Sequence, residues 1–188
     1  QKIRRSNVRA RLIIFGTLAV LLILFSIFSE YLTPYDPYLQ DLSIAKSPPS
    51  AEHLLGTDRY GRDMLSRVMV GSQTSIFSTL LLVAVITTLG TAVGVFCGWR
   101  GGWLDTVLMR ISDMFLAFPG LVFALAVAGV LGGGLQNAII ALAAISWPKY
   151  ARIARSQTLA QKETVWMKAA KLSGSSTAKL IFKHILPN

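Results

Sequence analysis

The sequence predicts an all-α membrane protein, a polytopic helical bundle, and three observations predict it. Of 188 residues, 53% are apolar and only 15% charged, with a mean hydropathy of +0.53, whereas a water-soluble domain of this size carries about a quarter charged residues. Uncharged stretches run for 18 residues from Leu12 to Ser29, 32 from Val68 to Trp99 and 35 from Met114 to Pro148; a helix needs about 20 residues to cross the hydrocarbon. The 19 basic against 9 acidic residues gather near the ends of those stretches, a pattern set by membrane topology that removes the reason to invoke nucleic acid.

The spans follow in order. The first lies near 12–30. Basic residues precede it, as in a secretory signal, but a signal core is about 7 to 15 apolar residues; here apolar residues continue to Phe28 and Glu30-Tyr31-Leu32 follows, so it reads as an uncleaved span. A second lies near 76–98. The third stretch divides at Gly132-Gly133-Gly134, a turn signal, giving spans near 106–131 and 136–156. Four spans result, with residues 1–11 as a basic N-terminus, 31–75 as an extracytoplasmic loop, 76–188 as the core and 158–188 as a cytoplasmic loop. Residues 1–11 hold Lys2, Arg4, Arg5, Arg9 and Arg11 with no acid; from Glu30 to Arg67 four basic residues meet six acidic; from Lys149 onward eight basic residues meet only Glu163. The N-terminus and tail are therefore expected in the cytoplasm and residues 30–70 outside.

The outer segment contains Pro34, Pro37, Pro48 and Pro49, which disfavour regular helix. Within it, Gly56 and Gly61 permit tight turns and Asp58, Arg62 and Asp63 are expected to pair among themselves. Met64–Val70 reads as a short amphipathic helix leading into span two. This loop, with Gly56, Thr57, Asp58, Gly61, Arg62, Asp63 and Arg67, is either a cap that ties down a helix start or a gating or partner-contacting element. In span two, Gly90, Gly94 and Gly98 recur every fourth residue and form a groove for close helix packing. Pro119 and Pro148 are expected to bend spans three and four. Arg110 and Asp113, i,i+3 neighbours, are expected to pair at the inner interface.

In the tail, Val165, Ala169 and Leu172 fall on one helix face. Ser173-Gly174 supplies a stop, and Ser175-Ser176 offers a cap for a second helix ending before Pro187. Two short helices with Ala169-Ala170 at the bend form either a knob for another protein's groove or an amphipathic hairpin held on anionic lipid by Lys162, Lys168, Lys171, Lys179 and Lys183. On the residues alone both readings stand. The lone Cys97 excludes an internal disulfide and a cysteine-ligated zinc site. No G-x-x-x-x-G-K-[ST] loop is present, and His53 and His184 provide no histidine-rich metal cage.

Three stretches resemble the C-type permease subunits of bacterial ATP-binding-cassette importers for dipeptides, oligopeptides and nickel. They are Leu55-Gly56-Thr57-Asp58 through Gly61-Arg62-Asp63 with Ser66-Arg67; Asp113-Met114-Phe115 through Phe118-Pro119 with Trp147 and Tyr150-Ala151-Arg152; and Ala169-Ala170, three residues, Gly174, then nine residues to His184-Ile185-Leu186-Pro187-Asn188. The resemblance implies a non-enzymatic inner-membrane permease, multi-pass with a cytoplasmic N-terminus, importing peptides, with nickel as the alternative cargo. It implies a second permease subunit as heterodimer partner, two cytoplasmic ATPase subunits carrying ATP and magnesium, an extracytoplasmic binding protein, and no cofactor or metal on this chain itself. Lys168, Ala169, Ala170, Leu172, Gly174, Ile185, Leu186 and Pro187 would carry ATPase coupling. The family's motif usually opens with Glu where this chain has Lys168, which reverses the charge offered there. The family is six-spanned, so two further C-terminal spans are expected beyond Asn188. An ion-coupled secondary carrier, motivated by Asp113, Arg110 and the bent spans, is the competing class, and a scaffold whose tail docks a cytosolic protein is a third.

Overall fold

The computed structural model describes the backbone of residues 2–187 and the side chains of residues 8–187. The side chains of Lys2, Arg4 and Arg5 and the terminal Asn188, on which the orientation and the last motif partly rest, lie outside the described residues. Helix follows helix: α1 Lys2–Leu32, α2 Met64–Arg100, α3 Gly102–Ala117, α4 Gly120–Val130, α5 Leu135–Lys162, α6 Val165–Leu172 and α7 Thr177–Leu180, the last continued by a π-helical turn Ile181–Ile185. The chain divides into two compact units, residues 1–79 and 80–188.

In the first unit, α1 exposes its apolar residues almost throughout: Leu12, Ile13 and Phe15 are each about two-thirds exposed, as a helix facing lipid would be. An ordered loop follows. Asp41 caps a 3-10 turn, Leu42–Ile44, by accepting from the Ser43 amide at 2.9 Å, and this holds the Asp41 carboxyl below its usual pKa, the Ser43 hydroxyl contributing most. Met64–Val70 is not a separate short helix. The chain enters α2 at Met64 and continues to Arg100, because nothing between residues 64 and 75 breaks helical bonding, the Asp63 carboxylate accepts from the Ser66 amide and the Gly56 carbonyl from that of Met64.

In the second unit, the glycine triplet is a turn with φ of +90°, +73° and +89° at Gly132, Gly133 and Gly134. The two prolines part company. At Phe118-Pro119 the helix ends and restarts, so that α3 and α4 meet at 93° and the expected span 106–131 is broken. Pro148, fully buried, sits inside an uninterrupted α5. Among the described residues two helices, α1 from Val8 onward and α2, are long and apolar enough to cross a membrane, and the bent α3–α4 pair adds a third if counted as one span. The expected fourth span, 136–156, lies within α5, whose last half carries Lys149, Arg152, Arg155 and Lys162 and is not uniformly apolar.

Candidate functional site

The C-terminal tail folds as a helical hairpin with its own small core. Met167 of α6, Leu180 of α7 and Ile185 of the π turn are buried together with Val95 of α2, and Trp99, Ala154, Ala170 and Ile181 pack around them. Each such side chain contributes about 1.5–3 kcal/mol through burial. The turn is closed as its residues dictate: Gly174 adopts φ +80°, the Ser175 amide donates to the Ala170 carbonyl at 3.2 Å, and the Ser176 hydroxyl caps the Lys179 amide. The rings of Trp166 and His184 meet at a 60° tilt with centroids 5.3 Å apart, which ties the two limbs together.

The seat is thus fixed from inside, and the opposite face of α6 is bare. Val165 is 84% and Leu172 90% exposed, with Ala169 exposed between them. Of the two adjacent alanines only Ala169 faces out; Ala170, and likewise Ile185, face the hairpin's own core. Leu186, Pro187 and Gly174 are exposed. Lys168 lies beside the bare stripe and pairs with Glu163 at 2.8 Å. Hydrogen bonding to Lys168 is the main cause that holds the Glu163 carboxyl below its usual pKa. The reversed charge at position 168 is therefore matched within the chain.

Two further interactions hold the hairpin's base, and neither is evident in the sequence. Lys162 donates to the Trp99 carbonyl at 2.7 Å, satisfying a free carbonyl at the C-terminus of α2. The Arg155 guanidinium bonds both oxygens of Asp105 at 2.6 Å each, joining α5 to α3. Asp113 pairs with Arg152 of α5, and not with Arg110 as i,i+3 spacing suggests, because α5 brings a guanidinium to the α3 face that Asp113 occupies.

The glycines at 90, 94 and 98 face α5. A Cβ on Gly90 would lie 2.5 Å from Tyr150 Cβ, one on Gly98 2.8 Å from Thr158 Cβ, and one on Gly94 would meet the Ala151 carbonyl oxygen. No side chain fits there without moving backbone.

In the first unit the loop residues form a clasp. Asp58 accepts from Arg62 Nε at 2.8 Å and from the Tyr60 and Arg62 amides, and Arg67 approaches it at 3.7 Å. The Arg62 side chain is the leading cause that lowers the Asp58 pKa to about 2. Asp63 does not join this group. It caps α2 by accepting from the Ser66 amide and hydroxyl at 2.7 Å each and meets His53 Nδ1 at 3.0 Å. Burial works to raise its pKa, but the Ser66 and His53 contacts hold it below the usual value. Thr57 donates to the Ile44 carbonyl and accepts from the Ser47 amide. Gly56 and Gly61 have φ of +72° and +73°, with the Ser47 and Asp41 carbonyls where a Cβ would sit. The charged members of this motif are thus satisfied within the loop, the geometry of a tied-down helix start.

Residues 90–188, which contain the glycine face, both interhelical ion pairs and the hairpin, match the family of binding-protein-dependent transport system inner membrane components. The chain belongs to this family. Similar proteins include the probable D,D-dipeptide transport system permease protein DdpC of Escherichia coli (strain K12), 44% identical over 173 residues, 92% of this chain and 58% of the relative. The glutathione transport system permease protein GsiD of Pectobacterium atrosepticum is 37% identical over 174 residues, 92% and 58% of the two chains. GsiD of Escherichia coli O157:H7 is 39% identical over 170 residues, 89% and 56%. The chain therefore spans a little under three-fifths of the length of these relatives. As an inner membrane component of a transport system it is a membrane protein of permease type.

Proposed function

We propose that the chain is a permease subunit of an ATP-driven importer of peptides, forming half of a translocation pathway with a second permease subunit. Two cytoplasmic ATPase subunits would hold ATP and magnesium, an extracytoplasmic protein would deliver cargo, and the chain would cross the inner membrane several times with its N-terminus in the cytoplasm. The names of the relatives, dipeptide and glutathione permeases, support peptides over nickel.

One observation carries the reading: α6 presents a bare apolar stripe, Val165, Ala169 and Leu172, on a seat bound to α2 and α5. A small residue between two large ones lets a partner's groove come close at the centre and grip at both ends. Closure of the ATPase pair on ATP would then displace α6, and the shared core of Val95, Met167, Leu180 and Ile185 would pass the displacement to α2 and α5. The test is Ala169→Glu in the assembled transporter. A carboxylate at the centre of the stripe should abolish ATP-driven uptake while the chain still folds; unchanged uptake and unchanged ATPase association would refute the docking assignment.

A further inference from the structure

The two ion pairs that join α3 to α5 differ in kind. Asp105 is buried and takes both its hydrogen bonds from the Arg155 fork, which makes that pair a strut. Asp113 and Arg152 meet through one carboxylate oxygen and one guanidinium nitrogen, their side chains are 46% and 51% exposed, and they open into a recess of 390 Å³ lined by Met109, Asp113, Arg152 and Arg155. That volume falls in the range of small-molecule sites, about 300–1,000 Å³.

The pair stands well along α3 from its first residue. Asp113 lies eleven residues beyond Gly102, the first residue of α3, or about 16 Å along the helix at ~1.5 Å per residue. The headgroup layers add only about 5–8 Å on each side of the ~30 Å hydrocarbon core. With α3 running along the membrane normal and Gly102 at the cytoplasmic surface, Asp113 would reach hydrocarbon depth, where ionised groups face a water-filled cavity or the bundle interior and mark substrate pathways.

We propose that this recess is a way-station for the charged ends of a short peptide: the Arg152 guanidinium takes the terminal carboxylate and Asp113 the terminal ammonium. A half-exposed pair with a single contact opens readily. Exchanging it for two pairs with a zwitterion leaves no charge uncompensated, and the remaining Arg152 donors suit a carboxylate. Arg155, held by its two bonds to Asp105, ties α5 to α3 while Arg152 exchanges partners. The proposal rests on the peptide-importer reading and adds to it a site in the permease itself.

The test uses the complete transporter with its ATPase and binding-protein partners in liposomes, and an alanyl dipeptide with a photoactivatable diazirine side chain as probe. During ATP turnover, light should label peptides containing Met109–Asp113 or Arg152–Arg155. Excess Ala-Ala should suppress the label, and N-acetyl-Ala-Ala-amide should not. Arg152→Gln and Asp113→Asn should each lower labelling about tenfold or more, the effect of losing a hydrogen bond to a charged group. Uptake of the probe without label in the recess, or equal competition by capped and free dipeptide in the unmutated transporter, would overturn the way-station alone. Absence of any ATP-dependent uptake of the probe would overturn the peptide-importer reading beneath it.

Discussion

Ala169 and Ala170 are adjacent and identical, yet they face opposite ways. Ala169 is exposed on the stripe and Ala170 packs into the core with Met167, Leu180 and Ile185. Ala169→Glu is expected to disturb only contact with a partner. Ala170→Glu forces a carboxylate into that core, and should loosen the hairpin itself by about 1–3 kcal/mol. Limited proteolysis of the purified permease separates them: the tail of the Ala169 variant should resist like wild type, and that of the Ala170 variant should be cut sooner. Lys168 illustrates what single-residue reading lacks. A lysine where an acid is usual signals inversion, but Glu163 lies across from it at 2.8 Å, a contact that depends on the chain's path before α6. The clasp around Asp58 gives a pH prediction. Its carboxyl titrates at about 2 against an ordinary 3.8, so its contribution to loop order is complete above 3.8 and is lost as pH falls from there toward 2. Protection of the Lys46 and Tyr60 amides from hydrogen exchange, relative to the intrinsic rate at each pH, should hold at pH 4 and fall below it, and Asp58→Asn should remove that acid-dependent step.

Helix elements were legible where a period or a turn residue marked them. The glycine repeat at 90, 94 and 98 was readable because every fourth residue lies on one helix face, and the triplet at 132–134 because positive φ favours glycine. Gly94→Val should separate α2 from α5, since a branched side chain would meet the Ala151 carbonyl and Ala154 Cβ. The expected cost is about 1–3 kcal/mol, visible as a lower melting temperature in detergent, and Gly16→Val, with nothing near it, should leave melting unchanged. The prolines were not separable by sequence. Each removes one helical hydrogen bond, and packing decides whether the helix survives: Pro148 is wholly buried within α5, whereas Pro119 stands between two helices that turn away from each other. The partners of Asp113 and Asp105 are 39 and 50 positions distant, and no local spacing in one sequence carries a signal for such pairs.

At the scale of the whole molecule, composition together with the length of the uncharged stretches pointed to the all-α membrane class, because a chain with so few charges and such long uncharged stretches has lipid as its main solvent. Charge placement gave the expected orientation, which is checked directly. With Cys97, 1% exposed, replaced by serine, a cysteine at Ser50 should react with a membrane-impermeant maleimide added to spheroplasts, and one at Ser173 only after the membrane is opened; the reverse order would invert the topology and remove the hairpin from the ATPase side. What the sequence could not supply was the seating of the hairpin, since Met167, Leu180 and Ile185 converge only after the chain has turned twice. That seating bears on motion. With no room for even a methyl group between α2 and α5 at Gly90, Gly94 and Gly98, Lys162 of α5 bonded to the Trp99 carbonyl of α2, and the tail's core shared with Val95 and Ala154, the two helices are expected to resist moving apart. A push on the tail is then expected to swing them together like a crank, with the elbow at Phe118 and Pro119 as the place to yield.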